Sequence, residues 1–261
     1  MSKNKLPFFI LSLFLLLLPP SKLAAEEAND PLESMNRGIF WFNDTFDIYL
    51  LEPVARGYDW LTPRPVQNSV TNFFDNLRYP SLLISDLVQL KIDQVAVHSG
   101  RFLINSTVGL AGLFDVASEF GLEPHYEDFG TALGYYEIPS GPYLVLPILG
   151  PSNIRDGFGR IVDLFLNPAF HFRTYGLSRD EALLASFGTN ALDTINTRAS
   201  LIKTIEDAKE VSLDYYLFLR SAYAQRRRNQ IYDNNPPEEE EEEDFDEEKF
   251  DEEMEEEDVL P

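Results

Sequence analysis

Apolar positions along the first half of the chain recur three and four residues apart. Met35, Ile39, Phe42, Phe46 and Tyr49 make one such stripe. Ahead of it, Asp30-Pro31-Leu32-Glu33 supplies a capping residue, a first-turn proline and an acid at the helix start, so a helix is predicted there. Pro65 predicts a second helix, with Val66, Val70, Phe73, Phe74 and Leu77 on one side. Pro80 is expected to open a third, carrying Leu82, Leu83, Leu87 and Leu90, and residues 92–106 form a fourth with Val95, Val97, Phe102 and Leu103. Further on, Ser178-Arg179-Asp180-Glu181 is a capping box that predicts a helix to about Arg198. Ser212 or Asp214 starts the last, Leu213 to about Tyr232. No run of strand-like alternation has any length. The pattern predicts an all-α fold of short amphipathic helices.

Several of these helices carry large aromatics around most of their circumference, as in "FWF" (Phe40 to Phe42), "NPAFHF" (Asn167 to Phe172) and "DYYLFLRSAY" (Asp214 to Tyr223). A helix apolar on all sides is buried or touches lipid. No segment after residue 26 reaches the roughly 18 uncharged apolar residues that a spanning helix needs. Two readings stay open: interfacial helices lying against a membrane, or a phenylalanine-packed soluble core.

Composition sharpens the ends of the chain. The formal net charge is -23. From Pro236 to Asp258 there are 17 Asp and Glu against Lys249 alone, so residues 233–261 are expected to be a self-repelling, disordered acidic tail. That balance excludes nucleic acid as a partner, because phosphates need clustered cations. At the other end Lys3, Lys5, the apolar run Leu6 to Leu18 and Leu23-Ala24-Ala25 read as a cleavable signal peptide over residues 1–25. Leu23-Ala24-Ala25 would suit a lipoprotein cleavage box, but Glu26 follows in place of Cys, and the chain has no cysteine. N-terminal lipidation is therefore not expected, and disulfides and thiolate chemistry are excluded.

Catalytic constellations are missing. Ser140 sits in Pro-Ser-Gly-Pro, not in a nucleophile elbow. Gly157-Phe158-Gly159 lacks the context of a phosphate loop. His98 reads as a structural histidine, and His171 pairs with no other ligand at helical spacing. Glu123, His125, Glu127 and Asp128 crowd together, but alternating charges in a loop are common, and no metal or other cofactor is expected. The chain reads as a non-enzyme.

The segment from Glu127 to Asp156 combines four prolines with strong apolarity. Its "DFGTALGYYEIPSGPYLVLPILGPSNIRDGFG" (Asp128 to Gly159) resembles the signature block of the MlaA family, also called VacJ. "DPLESMNRGIFWFN" (Asp30 to Asn43), "EPVARGYDWLTPRPVQNSVTNFFDNL" (Glu52 to Leu77), "RFLINSTVGLAGLFDVA" (Arg101 to Ala117) and "DYYLFLRSAYAQRR" agree in the same order. The resemblance implies one helical domain over residues 26–232, a ring of helices lying in the inner leaflet of a Gram-negative outer membrane around an amphipathic channel. It implies removal of mislocalised phospholipids from the outer leaflet, with trimeric porins and a periplasmic lipid carrier as partners. It also implies a hairpin-like element beside the channel. On it we place the candidate site residues Gly130, Gly134, Pro139, Gly141, Pro142, Tyr143, Leu146 and Pro147, as a gate or lining element. The other reading is a rigid connector that closes the ring. The missing cysteine leaves a second function open, a soluble periplasmic lipid-binding or scaffold protein without membrane insertion.

Overall fold

The computed structural model describes residues 30–171 and 176–237. Residues 1–25, expected to be a signal peptide, and all but the first five residues of the expected acidic tail lie outside the described residues.

Helix α1 (Glu33–Phe46) runs through a π turn (Asp47–Leu51) into α2 (Glu52–Leu61). Then come α3 (Arg64–Gln89), α4 (Ile92–Thr107), α5 (Val116–Glu119), α6 (Phe129–Tyr135), strands β1 (Tyr143–Leu146) and β2 (Gly150–Asn153), α7 (Ile154–Leu166), a 3-10 turn (Pro168–His171), α8 (Arg179–Ser200), α9 (Ile202–Val211) and α10 (Tyr215–Ile231). The contacts form a closed circuit: α2 packs on α8, α8 on α3, α3 on α6, α6 on α10, α10 on β2, and β1 on α1, which leads back into α2.

Two of the predicted caps act as expected. Ser178 and Glu181 form the reciprocal capping box of α8, and Asp214 accepts from the backbone N–H groups of Tyr216 and Leu217. The cap predicted at Asp30 is a correction: α1 begins at Glu33 with Leu32 at its N-cap position and no side-chain cap, and Asp30 accepts from the Leu32 N–H in the turn ahead.

Pro80 is a correction. It does not open a helix but lies inside the 26-residue α3. A mid-helix proline costs about 3 kcal/mol or more. Here the residues beside it are clamped: Tyr79, Ser81 and Leu82 are buried, and α3 packs on α4, α6 and α8. Tertiary packing outweighs the lost hydrogen bond. Helices α2, α6, α7 and α9 carried no stripe recognised in the sequence, since α6 and α7 are rich in glycine and α9 in charge.

The orientation of the stripes is the main structural surprise. On α1, Met35 and Phe42 are exposed, as is Tyr49 in the π turn that follows, while Asn36 is fully buried. On α3, Leu87 is exposed, as is Leu90 just past its C-terminus, while Gln67, Asn76, Ser85 and Asp86 are buried. Among the described residues nineteen polar or charged side chains are buried against eleven apolar ones. On α1 the polar side points inward, and on α3 the buried face mixes polar residues with Phe74, Tyr79 and Leu82.

Candidate functional site

The hairpin is built by β1 and β2, paired antiparallel from Tyr143↔Asn153 to Leu146↔Gly150. That register leaves Pro147, Ile148 and Leu149 as the turn. Ile148, a β-branched residue, adopts φ 66, a costly conformation that persists only where surroundings hold it. Asn43 does so: its Oδ1 accepts from the Ile148 N–H at 2.7 Å, and its Nδ2 donates to the Leu146 carbonyl at 2.9 Å. One strand length away, Asn36 repeats the arrangement. Its Nδ2 donates to the Tyr143 carbonyl at 2.9 Å, and its Oδ1 accepts from the Val145 N–H at 2.9 Å. Seven residues of helix rise about 10 Å, and three of strand advance about 10 Å, so the two asparagines match the free edge of β1. An edge that would otherwise recruit another strand is covered by two side-chain amides.

The hairpin stands on a polar floor. Asp128 caps α6 through Thr131 in a capping box and accepts from Arg227 at 2.6 and 2.9 Å. Arg227 also pairs with Asp156 at 2.8 Å, and Tyr223 donates to Asp156. Burial alone would lower the Arg227 pKa, but Asp128 and Asp156 raise it above its ordinary value. Burial would raise the Asp156 pKa, yet Arg227 and Arg155 hold it below the usual carboxylate range. Such buried ions persist only with partners, and here each has them. Arg155 reaches the Ile138 carbonyl at 3.0 Å, and Arg160 reaches those of Leu149 and Pro151.

The candidate site residues divide between two places. Gly130 and Gly134 lie on α6, not on the hairpin. A Cβ on Gly130 would come within 2.8 Å of Arg227 and Asp156, and a Cβ on Gly159 of α7 within 2.3 Å of the Gly130 nitrogen. Pro139, Gly141 and Pro142 form the entry to β1, where Gly141 takes φ 69, a region that suits glycine. Tyr143 and Leu146 lie on β1, and Pro147 opens the turn. Asn36 and Asn43 carry no site reading in the sequence, and Arg227 reads only as part of a basic helix end. Asn36 and Asn43 sit seven apart on one side of α1, about a quarter turn from the apolar stripe, a signal that was present. Arg227 lies in a triple-arginine run that reads as an ordinary helix C-terminus.

The proposed loop cluster rearranges too. Asp128 belongs to Arg227. His125, Glu127 and Asp233 offer atoms within 4.8 Å of one another, and the Lys91 ammonium sits among them, 2.6 Å from Glu127 and 2.7 Å from Asp233. The position a cation would take is held by the chain's own ammonium. His98 is fully buried between Asp86 and the His125 carbonyl.

Many large apolar side chains are exposed. Trp60 is 84% exposed, Phe187 75% and Trp41 70%. Among the described residues no helix is long and apolar enough to cross a membrane.

Comparison with known proteins agrees with this arrangement. The sequence model of the MlaA lipoprotein family matches residues 28–230. The chain belongs to the MlaA family. It is similar to the intermembrane phospholipid transport system lipoprotein MlaA of Escherichia coli, 34% identical over 204 residues covering 76% of each chain. The MlaA of Haemophilus influenzae is 31% identical over 211 residues, covering 79% of this chain and 81% of that one. A protein of Rickettsia bellii is 37% identical over 205 residues, 78% of each. A solved structure described as the structural basis for maintenance of bacterial outer membrane lipid asymmetry superposes with a TM-score of 0.66 at 33% identity, over 78% of this chain and 99% of that one. The MlaA match spans the hairpin, the arginine–aspartate floor and the asparagine pair.

Proposed function

We propose that this chain is a phospholipid transport protein of the outer membrane that maintains lipid asymmetry by removing mislocalised phospholipids from the outer leaflet. The observation that carries this reading is the skewed burial: among the described residues nineteen polar or charged side chains are buried against eleven apolar ones, while Trp41, Trp60 and Phe187 are exposed. Monomeric soluble proteins rarely expose contiguous apolar patches beyond a few hundred Å². A protein seated among acyl chains needs such a surface, and its inward-facing polar groups offer a head group a solvated path, because burying an unpaired charge in hydrocarbon is costly.

In this reading the ring lies in the inner leaflet, and the hairpin is the gate or lining element beside the lipid path. Trimeric porins and a periplasmic carrier are its partners. With no cysteine in these 261 residues, attachment rests on the exposed aromatic surface and on those partners, not on a thioether-linked lipid. The work is transfer without covalent chemistry. The exposed Trp41, Trp60 and Phe187 disfavour a soluble periplasmic scaffold.

Deleting the gene should raise outer-leaflet phospholipid and detergent sensitivity, and the intact gene should restore both. Carbonate-washed outer membranes should retain the protein. Release into the soluble fraction together with unchanged lipid asymmetry would end this reading.

A further inference from the structure

The inward-turned cations of this acidic chain are matched by carboxylates: Arg101 by Asp115, Arg155 by Asp156, Arg198 by Asp47, and Arg227 by Asp128. Two half-buried arginines beside the hairpin are not. Arg220, on α10, makes no hydrogen bond or ion pair among the described residues. Arg160, on α7, gives two N–H groups to the backbone carbonyls of Leu149 and Pro151, at 3.2 and 2.7 Å, and meets no carboxylate. A guanidinium has five donors, so Arg220 keeps all of its own and Arg160 keeps three.

Both lie by one cluster of tyrosines, which we call the strip. Arg220 stands one turn from Tyr216 and three residues from Tyr223. The Tyr143 ring touches both, with centroids 6.1 and 6.0 Å away. The charge of Arg220 acts on Tyr143 and Tyr216, and that of Arg160 on Tyr223. The acids of the neighbourhood are already engaged. Asp30 accepts from Asn36, Leu32 and Tyr216, and Asp156 is held by Arg155 and Arg227. Apolar surface adjoins the strip: Ile148 and Leu149 at the hairpin tip, and Ile161 and Phe165 on α7, are exposed.

We propose that Arg220 and Arg160 form a phosphate-ester site, Arg220 supplying the main contact, which takes the phosphodiester of a lipid head group while its acyl chains lie on the apolar surface. An unpaired guanidinium matches a phosphate with parallel, charge-assisted hydrogen bonds. The strip gives the transport reading a specific stopping point, and it rests on that reading.

The test uses the full mature chain in detergent, titrated with dihexanoylphosphatidylglycerol, dihexanoylglycerol and inorganic phosphate, with melting temperature measured alongside. Wild type should prefer the phosphate-bearing lipid over the uncharged diacylglycerol, and inorganic phosphate should compete weakly. Arg220→Gln should weaken binding of the phosphate-bearing lipid about tenfold, the loss expected for a charged hydrogen bond, and leave binding of dihexanoylglycerol unchanged. Arg160→Gln should weaken it less. If Arg220→Gln does not fold, Arg220→Lys keeps the charge but loses the fork and should show a partial loss. Wild-type preference in these variants overturns the site while leaving the transport reading standing. Inorganic phosphate competing as strongly as the lipid would mark a free-ion site and overturn it as well. A wild type that binds neither lipid would remove both readings.

Discussion

Asn36 Nδ2 lies 2.9 Å from the carbonyl oxygen of Tyr143, 107 residues away in sequence. With the matching bond from the Val145 N–H, this one side chain continues the β1 ladder from within a helix. Asn43 does the same at the turn. The base of the hairpin is therefore held in a fully buried place and its tip in a half-exposed one.

From that difference we predict two outcomes for two similar substitutions. Asn36→Ala orphans buried backbone groups, each costing about 1–3 kcal/mol, so melting temperature should fall clearly. Asn43→Ala lets water replace the lost bonds and should leave the melting temperature nearly unchanged, while releasing Ile148 and altering outer-leaflet phospholipid levels. Equal melting temperatures for the two variants, or unchanged lipid levels with Asn43→Ala, would contradict this account.

Gly130 and Gly57 should respond in opposite ways to alanine. At Gly130 the new Cβ would stand 2.8 Å from Arg227 and Asp156, and overpacking of that kind typically costs 1–3 kcal/mol. At Gly57, inside α2, a Cβ meets nothing within 4 Å, and alanine is favoured over glycine in a helix by about 1 kcal/mol. Chemical denaturation of the two variants decides it; stabilisation by Gly130→Ala would show that α6 is not held tightly on the Arg227–Asp156 pair.

Asp163 makes stability depend on pH. Burial pushes its pKa up to about 6 against the hydrogen bond from Ser81, and the neighbouring Asp128 charge adds to the rise. A carboxyl whose folded pKa lies above its unfolded value stabilises fully below the unfolded value, and that contribution is lost as pH rises through the folded one. The Asp163 share should therefore be full near pH 4 and gone above about 6. Melting temperatures of wild type and Asp163→Asn, compared from pH 4 to 7, should show a shallower decline for the variant. Parallel curves would refute the assignment.

Much of the fold was legible locally. The Ser178 box and the Asp214 cap depend on neighbours in sequence, so they could be read directly. Pro80 misled because a proline's local cost is fixed, whereas the packing that outweighs it comes from α4, α6 and α8. Helices α6 and α7 were hidden by the glycines that let them approach each other. At the candidate site, Gly141 and the turn residues announced themselves through Gly and Pro chemistry. The asparagines and Arg227 did not, because a polar residue on a helix looks solvent-facing until its partner is known.

The sequence by itself determined which residues share a face, since helical periodicity is a property of the chain. It also determined the MlaA kinship and the absence of thiol chemistry. Only the tertiary structure decided which face turns inward. Hydrophobic patterning fixes that two faces differ, but the surrounding solvent fixes which is outside. In water apolar side chains would be drawn inside; here long-range pairs such as Asn36 with Tyr143 and Arg227 with Asp128 hold polar groups within, while Trp41 and Trp60 stay exposed.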